Sequence, residues 1–296
     1  MLRWRLLLGT LIVAGLLGLC WLDQVAERDA ARPGIWLLPL AALLTLTATA
    51  ELLQMARAAG MQPLPWIVYL GNLCLVAGQG LLMLGHQATP SPLGREWPAI
   101  VLAVSLVLLL AAEMWRYHEP GGILASLGAS VFALLYVGLL LSFAVRLRMD
   151  WGIAAVASWI IPVKMGDIGA YSVGRWIGRH KMAPVLSPGK TLEGALGALA
   201  FACLGSWATF FWLVPLLGGS PGKSGSWDWL LLGLLLGALG MLGDLAESLL
   251  KRDAGCKDSS QWLPGFGGVL DLLDSLLLTA PVVWLWWAVA GGLALR

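Results

Sequence analysis

Charge is scarce in this sequence. Lys, Arg, Asp and Glu make up 12% of its 296 residues, roughly half the share of an ordinary soluble domain. Hydrophobic residues make up 59%, and mean hydropathy is +0.81. Apolar runs of the roughly 20 residues that cross about 30 Å of hydrocarbon recur along the chain. A single buried soluble core is thereby excluded. Cysteine is sparse too: Cys20, Cys74 and Cys203 lie inside apolar runs, and Cys256 stands alone in a polar loop. With no CxxC pair, neither a zinc site nor a disulfide framework is indicated. Internal repeats are missing as well, whereas secondary transporters often carry two halves with matching broken helices.

What is present predicts an all-α, polytopic integral membrane protein with about nine transmembrane helices. The expected spans are 3–22, 33–54, 62–84, 97–115, 122–144, 151–166, 192–217, 228–250 and 268–292. The first combines two Arg with a long apolar stretch and no small-x-small cleavage site, so it reads as a helix rather than a leader. Trp21, Trp66, Trp97, Trp151 and Trp227 fall near span ends, where an amphipathic ring sits at headgroup depth. With the N-terminus inside, twelve Lys and Arg fall on the inner side and seven on the outer, the asymmetry of cytoplasmic loops. This places the protein in the cell (inner) membrane as a multi-pass protein. Polar residues crowd into 164–193 and 244–275. Residues 1–150 therefore read as transmembrane scaffold and 151–296 as the catalytic region, its active site facing the cytoplasm.

The densest chemistry runs from Gly243 to Asp258 and on through Leu263 to Ser275. On a helix Asp244, Glu247, Ser248 and Lys251 share one face, as do Asp271 and Asp274. A carboxylate inside a span is costly unless paired or wetted, so it is a site candidate by default. Asp244, Asp271 and Asp274 brought together would form a hard oxygen pocket suited to Mg²⁺. Beside them, Lys251, Arg252, Lys257 and Asp258 support two readings of equal weight. One is the basic half of a site for nucleotide phosphates, and the other is a solvated cytoplasmic loop.

A second constellation holds Lys164, Asp167, Tyr171 and Arg175 among Gly166, Gly169, Gly174 and Gly178. Small residues at such positions allow close helix packing. It leads into Ser187, Lys190 and Thr191, whose hydroxyls, ammonium and backbone N–H groups before a helix suit a phosphate. Glu193 reads equally as part of that cradle or as a helix-start carboxylate. Gly189-Lys190-Thr191 imitates the end of a P-loop, but Pro184 stands where the first Gly belongs and no strand is expected before it. The 164–190 stretch is expected to be the longest polar loop.

Together these segments resemble the phosphatidate cytidylyltransferase (CDP-diacylglycerol synthase) family. The likeness lies in Ser248-Leu-Leu-Lys251-Arg252 with Lys257-Asp258, in Leu-Pro-Gly-x-Gly-Gly-x-Leu-Asp271-x-x-Asp274-Ser275, and in Asp167-x-Gly-Ala-Tyr171. Ser187-Pro-x-Lys190-Thr191-x-Glu193-Gly194, Gly243-Asp244-x-x-Glu247-Ser248 and Glu51 with Arg57 and Gly60 extend it from about residue 33 to the end. The resemblance implies an often dimeric membrane enzyme that uses Mg²⁺ and K⁺, with CTP and phosphatidic acid as substrates within membrane lipid and no role for nucleic acid. It implies that Asp244, Asp258, Asp271 and Asp274 are the acids of the cation centre. It likewise makes Ser187, Lys190, Thr191, Lys251, Arg252 and Lys257 phosphate-binding groups. Three positions depart from the family pattern. Phe266 stands for His, Leu272 for Arg and Gly189 for a second Lys, and neither Phe nor Leu replaces a phosphate-binding cation.

The rivals are a CTP-dependent enzyme acting on another lipid phosphate or a polyprenol, an inactive relative, a transporter whose acids line an ion path, and a non-catalytic scaffold.

Overall fold

The computed structural model describes residues 2–30, 32–85, 92–118, 120–217, 227–260 and 267–294. Phe266 and the Leu263-Pro-Gly segment before it lie outside the described residues. The architecture is helical, with one small hairpin. In chain order come α1 (Leu2–Ala30), α2 (Leu37–Ala58), α3 (65–85), α4 (Pro92–Arg116), α5 (123–151) and α6 (153–177). Then follow β1 (Lys181–Ala183), β2 (Ser187–Thr191), α7 (192–216), α8 (Asp228–Asp253) and α9 (Val269–Ala294).

Among the described residues, eight helices are long and apolar enough to cross a membrane, against the nine or so expected. The difference lies in Ile123–Ile177, 55 residues counted as one helix. At about 1.5 Å per residue it would run roughly 80 Å, far beyond one bilayer. It breaks at Gly152, with φ 77° and ψ −171°, backbone that is essentially reserved for glycine. That break turns one over-long helix into two of ordinary spanning length. Gly152→Ala is expected to lower stability by about 1–3 kcal/mol, read as a drop in thermal unfolding midpoint in detergent.

The chain divides into two compact units, Met1–Met149 with Asp253–Leu272, and Asp150–Arg252 with Leu273–Arg296. In the first unit, Pro65 opens α3, a position where its missing N–H costs nothing. Leu64, Ile67, Leu109 and Leu134 form a closed apolar cluster. Two buried polar side chains organise this unit. Asn72 is fully buried and donates to Thr49 Oγ1 at 2.8 Å and to the Ala133 carbonyl. Asp23, also fully buried, pairs with Arg148 at 2.6 Å and accepts from the Gly34 and Trp36 N–H groups ahead of α2.

In the second unit, α6 and α7 approach through small residues. A side chain on Gly169 would strike the Gly197 carbonyl and Phe201, and one on Gly197 would strike Val173. This packing, worth more than the low helix propensity of glycine, carries α6 on to Ile177. The expected end at 166 and the expected 164–190 loop are therefore corrected, since Lys164, Asp167, Tyr171 and Arg175 are helical. The hairpin is corrected too. A strand, β1, does precede Gly189, and Gly189-Lys190-Thr191 themselves lie in β2, paired Lys181 to Thr191 and Ala183 to Ser187. P-loop geometry remains excluded on different grounds: β2 runs straight into α7 with no phosphate-wrapping loop between them.

Candidate active site

In the second unit, acids and bases from four elements meet. Lys164 on α6 pairs with Asp167 at 3.0 Å and donates to Ser275 Oγ on α9 at 3.0 Å. Ser275 Oγ in turn donates to Asp167 Oδ2 at 3.1 Å, closing a three-membered ring of polar groups. Asp274, next to Ser275, accepts from the Ser275 N–H. Its carbonyl lies where any side chain on Gly243 would have to go, so glycine at 243 brings α8 onto α9 beside Asp244. Asp244 pairs with Lys190 of β2 at 2.8 Å. Gly233 and Gly237 on α8 make the same kind of close approach to α7.

Other expected residues of this unit have structural partners. Thr191 is the N-cap of α7, its Oγ1 accepting from the Gly194 N–H at 3.1 Å. Glu193 accepts from the Arg179 and His180 N–H groups and lies 2.6 Å from His180 Nδ1. That is the helix-start role, here fastening the end of α6 to the beginning of α7. Glu247 is fully buried and takes Lys251 as its counter-ion at 2.7 Å. Arg252 Nε donates to the Leu186 carbonyl in the hairpin turn. Tyr171 is 65% exposed and accepts from Arg175 at 2.6 Å. Ser187 and Ser248 are half-buried, at the start of β2 and on α8.

In the first unit, Asp271 stands in the first turn of α9, with Leu272 half-buried beside it and Lys257 and Asp258 exposed in the loop before it. Asp271 Oδ2 accepts from Ser259 N at 3.0 Å, Ser259 Oγ at 2.7 Å and Gly268 N at 2.7 Å. Glu51, 5% exposed on α2, takes part in the same network. Its Oε2 accepts from Ser259 Oγ and Leu270 N, both at 2.8 Å. Its Oε1 accepts from Ser260 Oγ at 2.8 Å and Val269 N at 2.9 Å. Ser259 and Ser260 were not expected as site residues, and Glu51 had been noted only as part of a motif. A buried carboxylate within an apolar helix is itself a signal, and Glu51 carries it.

Among the described residues, no three His, Cys, Asp and Glu side chains stand close enough together to form a ready-made metal site. The donor chemistry around Asp244 and Asp274 nonetheless fits Mg²⁺. It consists of carboxylate and hydroxyl oxygens with no sulfur or imidazole among them, the hard set that ion prefers.

Part-exposed acid–base pairs on apolar helices and the adjoining hairpin fit a polytopic membrane protein with a site for a charged substrate. Comparison with known proteins makes this specific. A profile of the Cytidylyltransferase family matches residues 4–290, well upstream of residue 33, where the motif likeness begins. Phosphatidate cytidylyltransferase of Synechocystis sp. is 32% identical over 266 residues, 79% of this chain and 82% of that protein. The protein of the same name from Mycobacterium bovis is 33% identical over 271 residues, 86% of this chain and 80% of that one. The Escherichia coli protein called Uncharacterized protein YnbB is 37% identical over 182 residues, 59% of this chain and 58% of its own. This chain belongs to the cytidylyltransferase family.

Proposed function

We propose that this protein is a phosphatidate cytidylyltransferase, transferring CMP from CTP to phosphatidic acid to give CDP-diacylglycerol and pyrophosphate for phospholipid synthesis. The observation that carries the reading is the gathering of Lys164, Asp167, Ser275, Asp244 and Lys190 on apolar helices and the adjoining hairpin of one unit. Its support from outside the chain is a family relationship to proteins named for this reaction.

The chemistry asks little of a protein base. A phosphate monoester has its second pKa near about 6, so the phosphatidate oxygen is already an anion at neutral pH. It attacks the α-phosphorus of CTP in line, a new P–O bond forms, the bond to the β-phosphate breaks and pyrophosphate leaves. Two polyanions must be aligned and their repulsion screened. Lys190 and Lys164 are assigned to that screening, with Ser187 beside Lys190. Lys251, Arg252 and Lys257 are assigned to the leaving pyrophosphate. Asp244, Asp271 and Asp274 would hold Mg²⁺, which when bound supplies charge neutralisation on the CTP phosphates. K⁺ is proposed as the second cation. The excess of Lys and Arg in alternate loops supports an inner-membrane location with the site on the cytoplasmic side, and a homodimer is proposed from the family habit.

The substrate is tested with purified protein, CTP and a panel of acceptors: phosphatidic acid, lysophosphatidic acid and a polyprenyl phosphate. Phosphatidic acid is expected to be converted at least tenfold faster than the others. A faster rate on the polyprenyl phosphate would reassign the substrate, and Phe266 and Leu272 would then be the positions to revert to His and Arg.

A further inference from the structure

We infer that Glu51 is a positioning residue for Asp271, although it lies far from it in sequence. Its role rests on the proposed cytidylyl transfer. Four donors converge on one carboxylate: the Ser259 and Ser260 hydroxyls and the N–H groups of Val269 and Leu270. The last two are among the N–H groups at the start of α9 that no turn of the helix can satisfy, and a carboxylate there also complements the positive end of the helix dipole. Glu51 therefore fixes where α9 begins. The same helix carries Asp271 in its first turn and Asp274 one turn on.

Ser259 couples the two carboxylates directly. Its Oγ lies 2.8 Å from Glu51 Oε2 and 2.7 Å from Asp271 Oδ2. With one hydroxyl hydrogen it serves one acceptor at a time, so a change at Glu51 is felt at Asp271. The two glycines before α9 exist to make room for this arrangement. Gly267 has φ +86°, and a side chain there would strike Asp271. A side chain on Gly268 would strike Ser259 Oγ and Glu51 Oε2. The Gly267-Gly268 pair of the motif is thus the space that lets a carboxylate from α2 reach the beginning of α9.

The test compares Glu51→Gln, Ser259→Ala and Ser260→Ala with the wild-type protein, all purified as full chains and checked for monodispersity. Glutamine keeps the shape but gives up one acceptor. Two readouts are taken: the Mg²⁺ concentration for half-maximal turnover, and the rise in thermal midpoint produced by Mg²⁺ with CTP in the absence of lipid. Outer-shell partners of a metal-binding group typically change metal affinity about 10–100-fold. Glu51→Gln and Ser259→Ala are expected to raise the Mg²⁺ requirement at least tenfold and to shrink the Mg²⁺–CTP thermal shift, with KM for phosphatidic acid unchanged. Ser260→Ala, which removes a hydroxyl donated to Glu51 Oε1, is expected to do the same more weakly. Should Glu51→Gln not fold, Ser259→Ala carries the test by itself. An unchanged Mg²⁺ requirement and thermal shift in folded Glu51→Gln or Ser259→Ala would overturn the inference. Inactivity of the wild-type protein would instead overturn the catalytic reading, and the thermal shift would still report on Glu51.

Discussion

Asp274→Asn is expected to lower cytidylyl transfer by a hundredfold or more while leaving the helices assembled. Asparagine has the same shape and can still accept from the Ser275 N–H. What it lacks is the negative charge. If Asp274 serves only to cap or pack, the substitution should pass almost unnoticed. If its charge faces the triphosphate through Mg²⁺, the loss should match or exceed that for deleting one preorganised electrostatic contact, on the order of 10²–10³ in kcat. Asp244→Asn is expected to act in the same direction. It also releases Lys190 from its 2.8 Å ion pair, so its effect on KM for CTP should be the larger of the two. Steady-state kinetics with thermal midpoints alongside separate the cases. Wild-type turnover in folded Asp274→Asn would remove this acid from the site.

Arg148→Ala is expected to produce the largest loss of stability in the molecule, away from any chemistry. Its side chain is 4% exposed and pairs at 2.6 Å with Asp23, which is 0% exposed. Removing one member of a buried pair strands the other charge, at a cost of about 3–5 kcal/mol. Asp23 would keep its two backbone donors from Gly34 and Trp36, which soften the loss without cancelling it. A fall in thermal midpoint of roughly 10 °C follows. Glu27 provides the contrast within the same cluster: it meets Arg148 at 2.9 Å but is 41% exposed. Glu27→Gln should therefore cost about 1 kcal/mol or less. Equal midpoints for Arg148→Ala and Glu27→Gln would show that the buried pair does not hold this end of α1.

Much of this was legible in the sequence because composition and local spacing carry it. Apolar runs mark the spans, and acids inside them mark Asp244, Asp271 and Asp274. Two kinds of feature were not. One is the local rule overridden by packing: the polar run from Lys164 looks like a loop, yet α6 continues to Ile177, with Gly169 and Gly174 letting α7 come close. The other is the long-range hydrogen bond. Glu51 and Ser259 are 208 residues apart, and no periodicity joins them. The break at Gly152 is the reverse case: two separate spans, 122–144 and 151–166, are expected from the sequence, and a φ of 77° at this glycine divides the continuous helical stretch there. The N–H groups where α9 starts are held by Glu51, a side chain from the otherwise apolar α2.

The central claim is that the α-phosphorus of CTP passes to a lipid phosphate, and labelled CTP tests it most directly. Purified protein is incubated with Mg²⁺, phosphatidic acid and CTP labelled at either the α- or the γ-phosphate, and the lipid and aqueous phases are counted separately. The account predicts α-label in the lipid as CDP-diacylglycerol, γ-label in pyrophosphate, and equal amounts of the two. Label from the γ-phosphate in the lipid, or none in lipid from either position, would contradict it.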